Sequence, residues 1–441
     1  MPDHSSLFPR DFSKDYPQAI RGEGCWIFTS SGTKYLDAAG QAAVVTIGHG
    51  VAAVGRAMAE QAAQLAFAHT SQFHTPVAER LAERLLAMVG RGGRVYFTSG
   101  GSEATETAIK LARQFFLERK QPERYRVISR RQSYHGSTLG AMTVSGNVAR
   151  RSPYAPLLPE WGHIPPCFCQ HCPLGLHFPE CHVACAEELE TLLRDNDPKT
   201  IAAFVFEPVV GATLGAAAPP EGYVQRIADI CKRHGILLIA DEVMTGMGRT
   251  GKPFAVDHWG VEPDIITLGK GLAGGYAPLG AVIVGPRVVD AFAQGSGAFQ
   301  HGFTYQAHPV ATAAGNAVLD VLEKENLFAR VLAAGRELFA ALEPLRSHPH
   351  VGDVRGLGLL AGIEFVKDRT TGEPFPREKN IAGRMYQAAM KHGVLAYPSQ
   401  GCVDGERGDH LLLAPPFIVT RQECETIARA IAAAADEVFS S

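Results

Sequence analysis

The chain has 441 residues, 46% of them apolar and 20% charged, with a formal net charge of −3. This is the composition of a globular protein with a sizeable core, and it lacks the basic field that draws in nucleic acid or an anionic membrane surface. No uninterrupted apolar run approaches the roughly 20 residues a membrane helix needs, and the opening MPDHSSLFPRDFSKDYP has neither the basic nor the apolar region of a secretion signal. With nine Cys, an odd number in a long chain, the expectation is a cytoplasmic protein without a disulfide framework.

In chain order, Trp26-Ile27-Phe28 and Lys34-Tyr35-Leu36 flank a Ser30-Ser31-Gly32 turn as a two-stranded hairpin. Glu79 to Val89 sets Leu81, Leu85, Leu86 and Val89 on one helical face. Val95-Tyr96-Phe97 reads as a strand, Ser99-Gly100-Gly101-Ser102 as a tight loop and Glu103 to Glu118 as a helix. Such a helix start offers free N–H groups and a positive dipole end, an anion site, and Ser102 also suits a simple N-cap. Arg126 to Ser129 is a strand leading into Ser133-Tyr134-His135-Gly136, where an aromatic residue at a strand end can lie on a flat ring. Glu187 to Leu193 is helical, and Ile201 to Phe206 is a buried strand ending at Glu207. The helix from Gly222 to His234 then crosses to Ile236 to Ala240, a βαβ unit expected to be right-handed. Ile265 to Leu268 and Ala281 to Val284 are strands, and a small-residue helix begins near Pro309. From about 325 a second compositional unit begins. It holds a helix from Ala329 to Leu345, an alternating strand through VRGLGLLAGIEFV, a helix from Glu378 to His392, short strands at Leu411 to Leu413 and Phe417 to Val419, and a last helix from Arg421 to about Phe439.

The stretch LLIADEVMTGMGRTGKPFAVDHWGVEPDIITLGKGLAGGYAPLGAVIVG organises the rest. One apolar run hands directly onto Asp241 and Glu242, and a second ends at Gly269-Lys270-Gly271. A carboxylate and an amine therefore stand at the carboxyl ends of two strands, the edge where open parallel sheets bind ligands. Pyridoxal phosphate (PLP) catalysis needs this pair: a lysine amine for the Schiff base, and an acid that keeps the pyridine nitrogen protonated so that the ring accepts electrons. With DEV, TGxGRTG, PDIITLGKGL and the Gly-rich return together, the chain resembles the class III (ω-type) aminotransferases of the fold-type I PLP enzymes, from about residue 20 to its end.

The resemblance implies an α/β fold: a large PLP-binding domain (71–325) with a mostly parallel central sheet flanked by helices, and a smaller α+β domain built from an N-terminal arm (1–70) and a C-terminal unit (326–441). It implies Lys270 and Asp241 as catalytic residues and Gly101 and Ser102 as phosphate contacts, although Gly100 replaces the usual Ser. Tyr134 of Tyr-His-Gly, with His135 beside it, is implied against the cofactor ring, and Val243 on the opposite face. Glu207 matches an acid that faces the substrate pocket and pairs with an Arg, and Thr304 one that reaches the phosphate of a neighbouring subunit, so that a homodimer shares its active sites. The implied reaction moves an amino group from an amine or ω-amino acid to a keto acid such as pyruvate or 2-oxoglutarate. A PLP decarboxylase or aminomutase on the same frame is the alternative. Gln41 sits one position too early to be the glutamine that directs related dialkylglycine decarboxylases and reads as a polar loop residue. Many members place an Arg before the Pro-Pro segment to hold the substrate carboxylate. Here the nearest is Arg407, ahead of Gly408 to Leu413, which leaves either amines without a carboxylate or an Arg from elsewhere.

One segment stands apart. Cys167, Cys169, Cys172, Cys181 and Cys185 fall between Pro165 and Cys185 with His171, His177 and His182. The density suits zinc, but the spacing is not a regular paired CxxC pattern, and a surface insertion with reduced thiols, or a region prone to oxidation, is preferred to a structural metal. No metal ligand is assigned.

Overall fold

The structure, a computed structural model, describes residues 6–440. A seven-stranded sheet carries the molecule. Its order is Arg94–Thr98, Gly280–Val284, Ile265–Leu268, Leu237–Asp241, Ile201–Phe206, Arg126–Arg130 and His163–Ile164. Five strands from Ile265–Leu268 to His163–Ile164 run parallel, and Gly280–Val284 is antiparallel to both its neighbours.

Alternation along the central strands explains the layers. Ala203, Val205, Leu237 and Ile239 pack on one face with Ala108, Phe115 and their neighbours on the helix Gly101–Glu118. Phe204, Phe206, Leu238 and Ala240 point the other way, into a core shared with the helix Tyr223–His234. Successive strand residues face opposite sides, and a sheet covered on both faces needs continuous apolar strands. Ile201–Phe206 and Ile265–Leu268 are buried at every position. Each large apolar side chain so buried stabilises the fold by about 1.5–3 kcal/mol.

Two four-stranded sheets flank this one. Ala19–Glu23, Trp26–Thr29 and Lys34–Asp37 form a meander that Val394–Leu395 joins in parallel from the other end of the chain. Val351–Gly356, Ala361–Phe365, Asp409–Leu413 and Tyr397–Gln400 form the third sheet. The smaller α+β part is thus built from both ends of the chain. Arg249, from TGMGRTG, ties the parts together: its guanidinium is fully buried and donates to the carbonyls of Val45, Leu359 and Pro415. No helix among the described residues is long and apolar enough to cross a membrane.

Several elements differ from expectation. VRGLGLLAGIEFV is not one strand but a hairpin, broken where Gly356 and Gly358 take φ of 144° and 63° and the Leu357 N–H donates to the Leu360 carbonyl. Phe417 to Val419 is a turn, since the chain has just passed Pro415-Pro416 and cannot continue a ladder there. The helix predicted from Glu79 starts at Pro76, which fits a first helical position because its missing N–H costs nothing. The helix predicted from Ala329 spans Leu327–Leu342 and tightens into a 3₁₀ turn at Pro344. The last helix, Arg421–Phe439, begins as expected, with a Thr420–Glu423 capping box.

The cysteine-rich segment straps across the third sheet. Phe168 packs with Val210, Leu214 and Cys402, the Arg355 guanidinium lies 4.7 Å from its ring centroid, and His171 bonds to the buried Glu364. Cys167 and Cys185 are buried and Cys169 is exposed. Among the described residues, no group of three or more His, Cys, Asp or Glu is arranged to hold a metal.

Candidate active site

Asp241 is the last residue of its strand, and Lys270 follows the end of the next one after a single glycine. The parallel pairing of Asp241 with Thr267 puts the two strand ends side by side. Both residues line a cavity of about 160 Å³ with Ser102, Tyr134, Glu207 and Val243. His135, Gly101 and Met244 line it too. Eight residues expected at the site from the sequence therefore converge on one space.

Asp241 is 5% exposed. One carboxylate oxygen, Oδ2, lies 2.6 Å from His135 Nδ1, and Oδ1 accepts from the Val243 N–H at 3.0 Å and from the Thr267 hydroxyl at 3.3 Å. His135 is buried in turn, its backbone N–H held by the Ser145 hydroxyl at 2.8 Å and its Nε2 without a partner among the described residues. This fixes the carboxylate in a water-poor setting with one face toward the cavity.

Lys270 carries a positive φ of 41°, a conformation that costs a side-chain residue about 1 kcal/mol or more and persists where the surroundings enforce it. Enclosure disfavours its charged form and lowers the amine from 10.5 to about 8, despite the opposing pull of Asp241 and Glu207. At pH 7 roughly a tenth of such an amine is neutral and available as a base or nucleophile, a far larger share than for an ordinary lysine.

The third component is the start of the helix Gly101–Glu118. Ala104 is the first residue to donate back into the helix, to Gly100 O, so the earlier N–H groups have no intrahelical partner. Ser102 Oγ accepts from the Ser137 N–H at 3.1 Å, which leaves its own proton free to donate. The backbone needs its glycine here: a Cβ on Gly101 would sit 2.7 Å from Val243 Cγ1. Gly101→Ala should destabilise the protein by about 1–3 kcal/mol through this overpacking, although Ala is the better helix former. Thermal melts with and without PLP would show the loss, and it should be larger with PLP.

Glu207 behaves differently from expectation. It is buried, and its carboxylate accepts from the Tyr134 N–H at 2.9 Å and the Gly211 N–H at 3.1 Å, and among the described residues no guanidinium pairs with it. The nearby Arg130 donates instead to the Glu207 carbonyl. Burial raises the Glu207 carboxyl above its usual range. Glu207 thus braces the backbone that presents Tyr134. Arg407 is also elsewhere: it is exposed and paired with Asp404 at 2.7 Å. Gln41 is exposed, with its N–H on Asp37. Thr304 is exposed too, and lines a second cavity of about 930 Å³ with His69, Phe73 and His301, apart from Lys270.

Glu242, next to Asp241, is 1% exposed, and burial raises it from 4.5 to about 7. It accepts from the Val256 N–H at 2.8 Å and from the Thr245 hydroxyl, locking the loop after the strand. Between about pH 4.5 and 7 the folded state binds a proton that the unfolded state has released, so this stability is full below the lower value and is lost as pH rises through the upper one. Glu242→Gln keeps the shape and removes the titration. Unfolding free energies measured from pH 4.5 to 8 should fall less steeply with pH in the variant than in the wild type.

The groups present fit PLP. An acid lies buried at a strand end, an amine lies across from it, and a glycine-lined helix start with an unengaged hydroxyl proton suits a phosphate. The description Aminotransferase class-III matches residues 13–435 of the chain. The uncharacterized aminotransferase YodT of Bacillus subtilis is 39% identical over 96% of this chain and 96% of its own. An amine transaminase structure from an uncultivated Pseudomonas species, in its PLP-bound form, superposes with a TM-score of 0.91 at 37% identity, covering 99% of this chain and 98% of that one. An (S)-enantioselective omega-transaminase from Thermomicrobium roseum gives 0.91 at 36% identity, with 99% and 97% covered. The chain belongs to the class III aminotransferases, PLP-dependent enzymes that transfer amino groups.

Proposed function

We propose that the enzyme takes the amino group of an amine or ω-amino acid and delivers it to a keto acid such as pyruvate or 2-oxoglutarate, with Lys270 and Asp241 as its catalytic residues. The observation that carries this reading is the shared cavity of the Lys270 amine and the Asp241 carboxylate beside the free helix start at Gly101. PLP, when bound there, supplies an electron-poor ring that stabilises negative charge on the carbon bearing the amino group. The N–H groups of Gly101 and Ser102, with Ser102 Oγ, hold its phosphate. Tyr134 and Val243 hold its ring, and Glu207 keeps Tyr134 in place. Asp241, oriented by His135, holds a proton at the ring nitrogen. Lys270 anchors the cofactor and, once released, carries a proton away from the donor carbon. Its lowered pKa suits both tasks.

The working unit is a homodimer in the cytoplasm, with Thr304 serving the partner's phosphate. Support for this comes from the exposure of Thr304, which lines a cavity other than that of Lys270, and from Phe73 and Tyr305 nearby, which are 61% and 62% exposed.

The test is the absorbance of purified protein loaded with PLP, followed through a panel of amines. A yellow band that bleaches with particular amines and returns with pyruvate or 2-oxoglutarate supports the proposal and narrows the donor. Bleaching that no keto acid reverses moves the assignment to a decarboxylase or aminomutase.

A further inference from the structure

A keto acid brings a carboxylate into the site, and a buried anion requires a hydrogen-bonding cation. Most guanidinium groups near the cavity are already engaged. Arg249 is held by three carbonyls, Arg151 by those of Met142, Thr143 and Ser145, Arg130 by that of Glu207, and Arg355 by Glu364 and Asp353. Arg407, the position suggested by sequence, faces Asp404.

Arg150 is different. Its guanidinium carbon lies 4.3 Å from the centroid of the Tyr134 ring, the same ring that lines the cavity of Lys270. Its other side-chain contact is a long 3.3 Å bond from Nη2 to the Tyr397 hydroxyl, and among the described residues no carboxylate pairs with it. Tyr397 packs in the cluster that contains Val209 and Met244, two more residues of the cavity wall. The charge of Arg150 also acts on the Lys270 amine. Backbone geometry sets its position: the Arg150 N–H is capped by Asn147 Oδ1 at 3.0 Å. The planar fork thus rests on an aromatic face with most of its donors unused, the state suited to two-point capture of a carboxylate.

We infer that Arg150 is the specificity-determining residue that binds the substrate carboxylate, so that the enzyme accepts keto acids and amino acid donors through Arg150, while amines without a carboxylate leave it on Tyr134 and Tyr397. This rests on the amino-transfer reading above, deepens it to a substrate class, and replaces Arg407 in that role.

The test compares wild-type holoenzyme with Arg150→Gln and Arg150→Lys, using one amine donor that bleaches the wild type and two acceptors, pyruvate and uncharged propanal. Removing a charged hydrogen-bond donor should lower the ratio of kcat/KM for pyruvate to that for propanal on the order of tenfold to a hundredfold in Arg150→Gln. Arg150→Lys, which keeps the charge but not the fork, should fall between. The retained PLP band reports folding and loading in each variant. An unchanged ratio in Arg150→Gln, with or without a general loss of rate, overturns the inference. Failure of the wild type to bleach with any amine would instead overturn the reading on which it rests.

Discussion

Lys270→Ala is expected to lower transamination by at least ~10⁴-fold, since it removes both the anchoring amine and the proton carrier. The cavity wall is otherwise kept, because Asp241, Ser102 and Tyr134 are held by contacts that do not involve Lys270. The variant should therefore bind PLP without covalent attachment. Borohydride treatment followed by peptide mass analysis should find the cofactor on the peptide containing Lys270 in the wild type and on no peptide in the variant. The pH dependence of reloading adds a second arm. Only the neutral amine reacts, and the amine sits at about 8 rather than 10.5. Reloading of cofactor-free wild type should thus speed up about tenfold per pH unit below this value and level off above it. Unchanged turnover in the alanine variant would remove Lys270 from the mechanism.

The Asp241–Lys270 pair is legible in the sequence because each residue directly ends a buried apolar run or lies one glycine beyond it, and parallel strands bring such ends to one edge. The helix start was legible for a similar reason, although the helix begins at Gly101 rather than Glu103, where glycine and serine carry no propensity signal. What could not be read depends on packing between distant segments. Arg150 sits in a four-residue helical turn, and nothing local marks it as different from Arg151 beside it. Only the fold puts one on Tyr134 and the other on backbone carbonyls. Glu207 was legible as a strand-end acid, but its partners, two backbone N–H groups, have no sequence signature. The hairpin at Gly356 was hidden because Gly356 to Leu359 alternates like a strand, and the turn is set by glycine conformations that alternation cannot report. The cysteines are the opposite case: their density is conspicuous, while contacts that fix the segment come from His171 and Phe168.

Asp241→Asn should reduce kcat by roughly 10²- to 10³-fold while the protein stays folded, the size of effect expected when a preorganised charge is removed from a water-poor site. The change is nearly isosteric. Asn Oδ1 still accepts from the Val243 N–H and the Thr267 hydroxyl, as the carboxylate does now. The amide nitrogen, however, now points a donor at His135 Nδ1, 2.6 Å from the present oxygen. His135 must then carry its proton on Nε2, which has no partner among the described residues, so the tautomer that the amide demands leaves a buried donor unpaired. Two losses would therefore combine: the negative charge facing the cofactor nitrogen, and the hydrogen bond from His135 behind it. A cofactor methylated at the ring nitrogen separates them, because its positive charge no longer depends on a neighbouring carboxylate. It should restore part of the rate in Asp241→Asn and give no gain in the wild type. If the methylated cofactor restores nothing while thermal melts match the wild type, Asp241 acts through His135 and the shape of the cavity rather than through its charge.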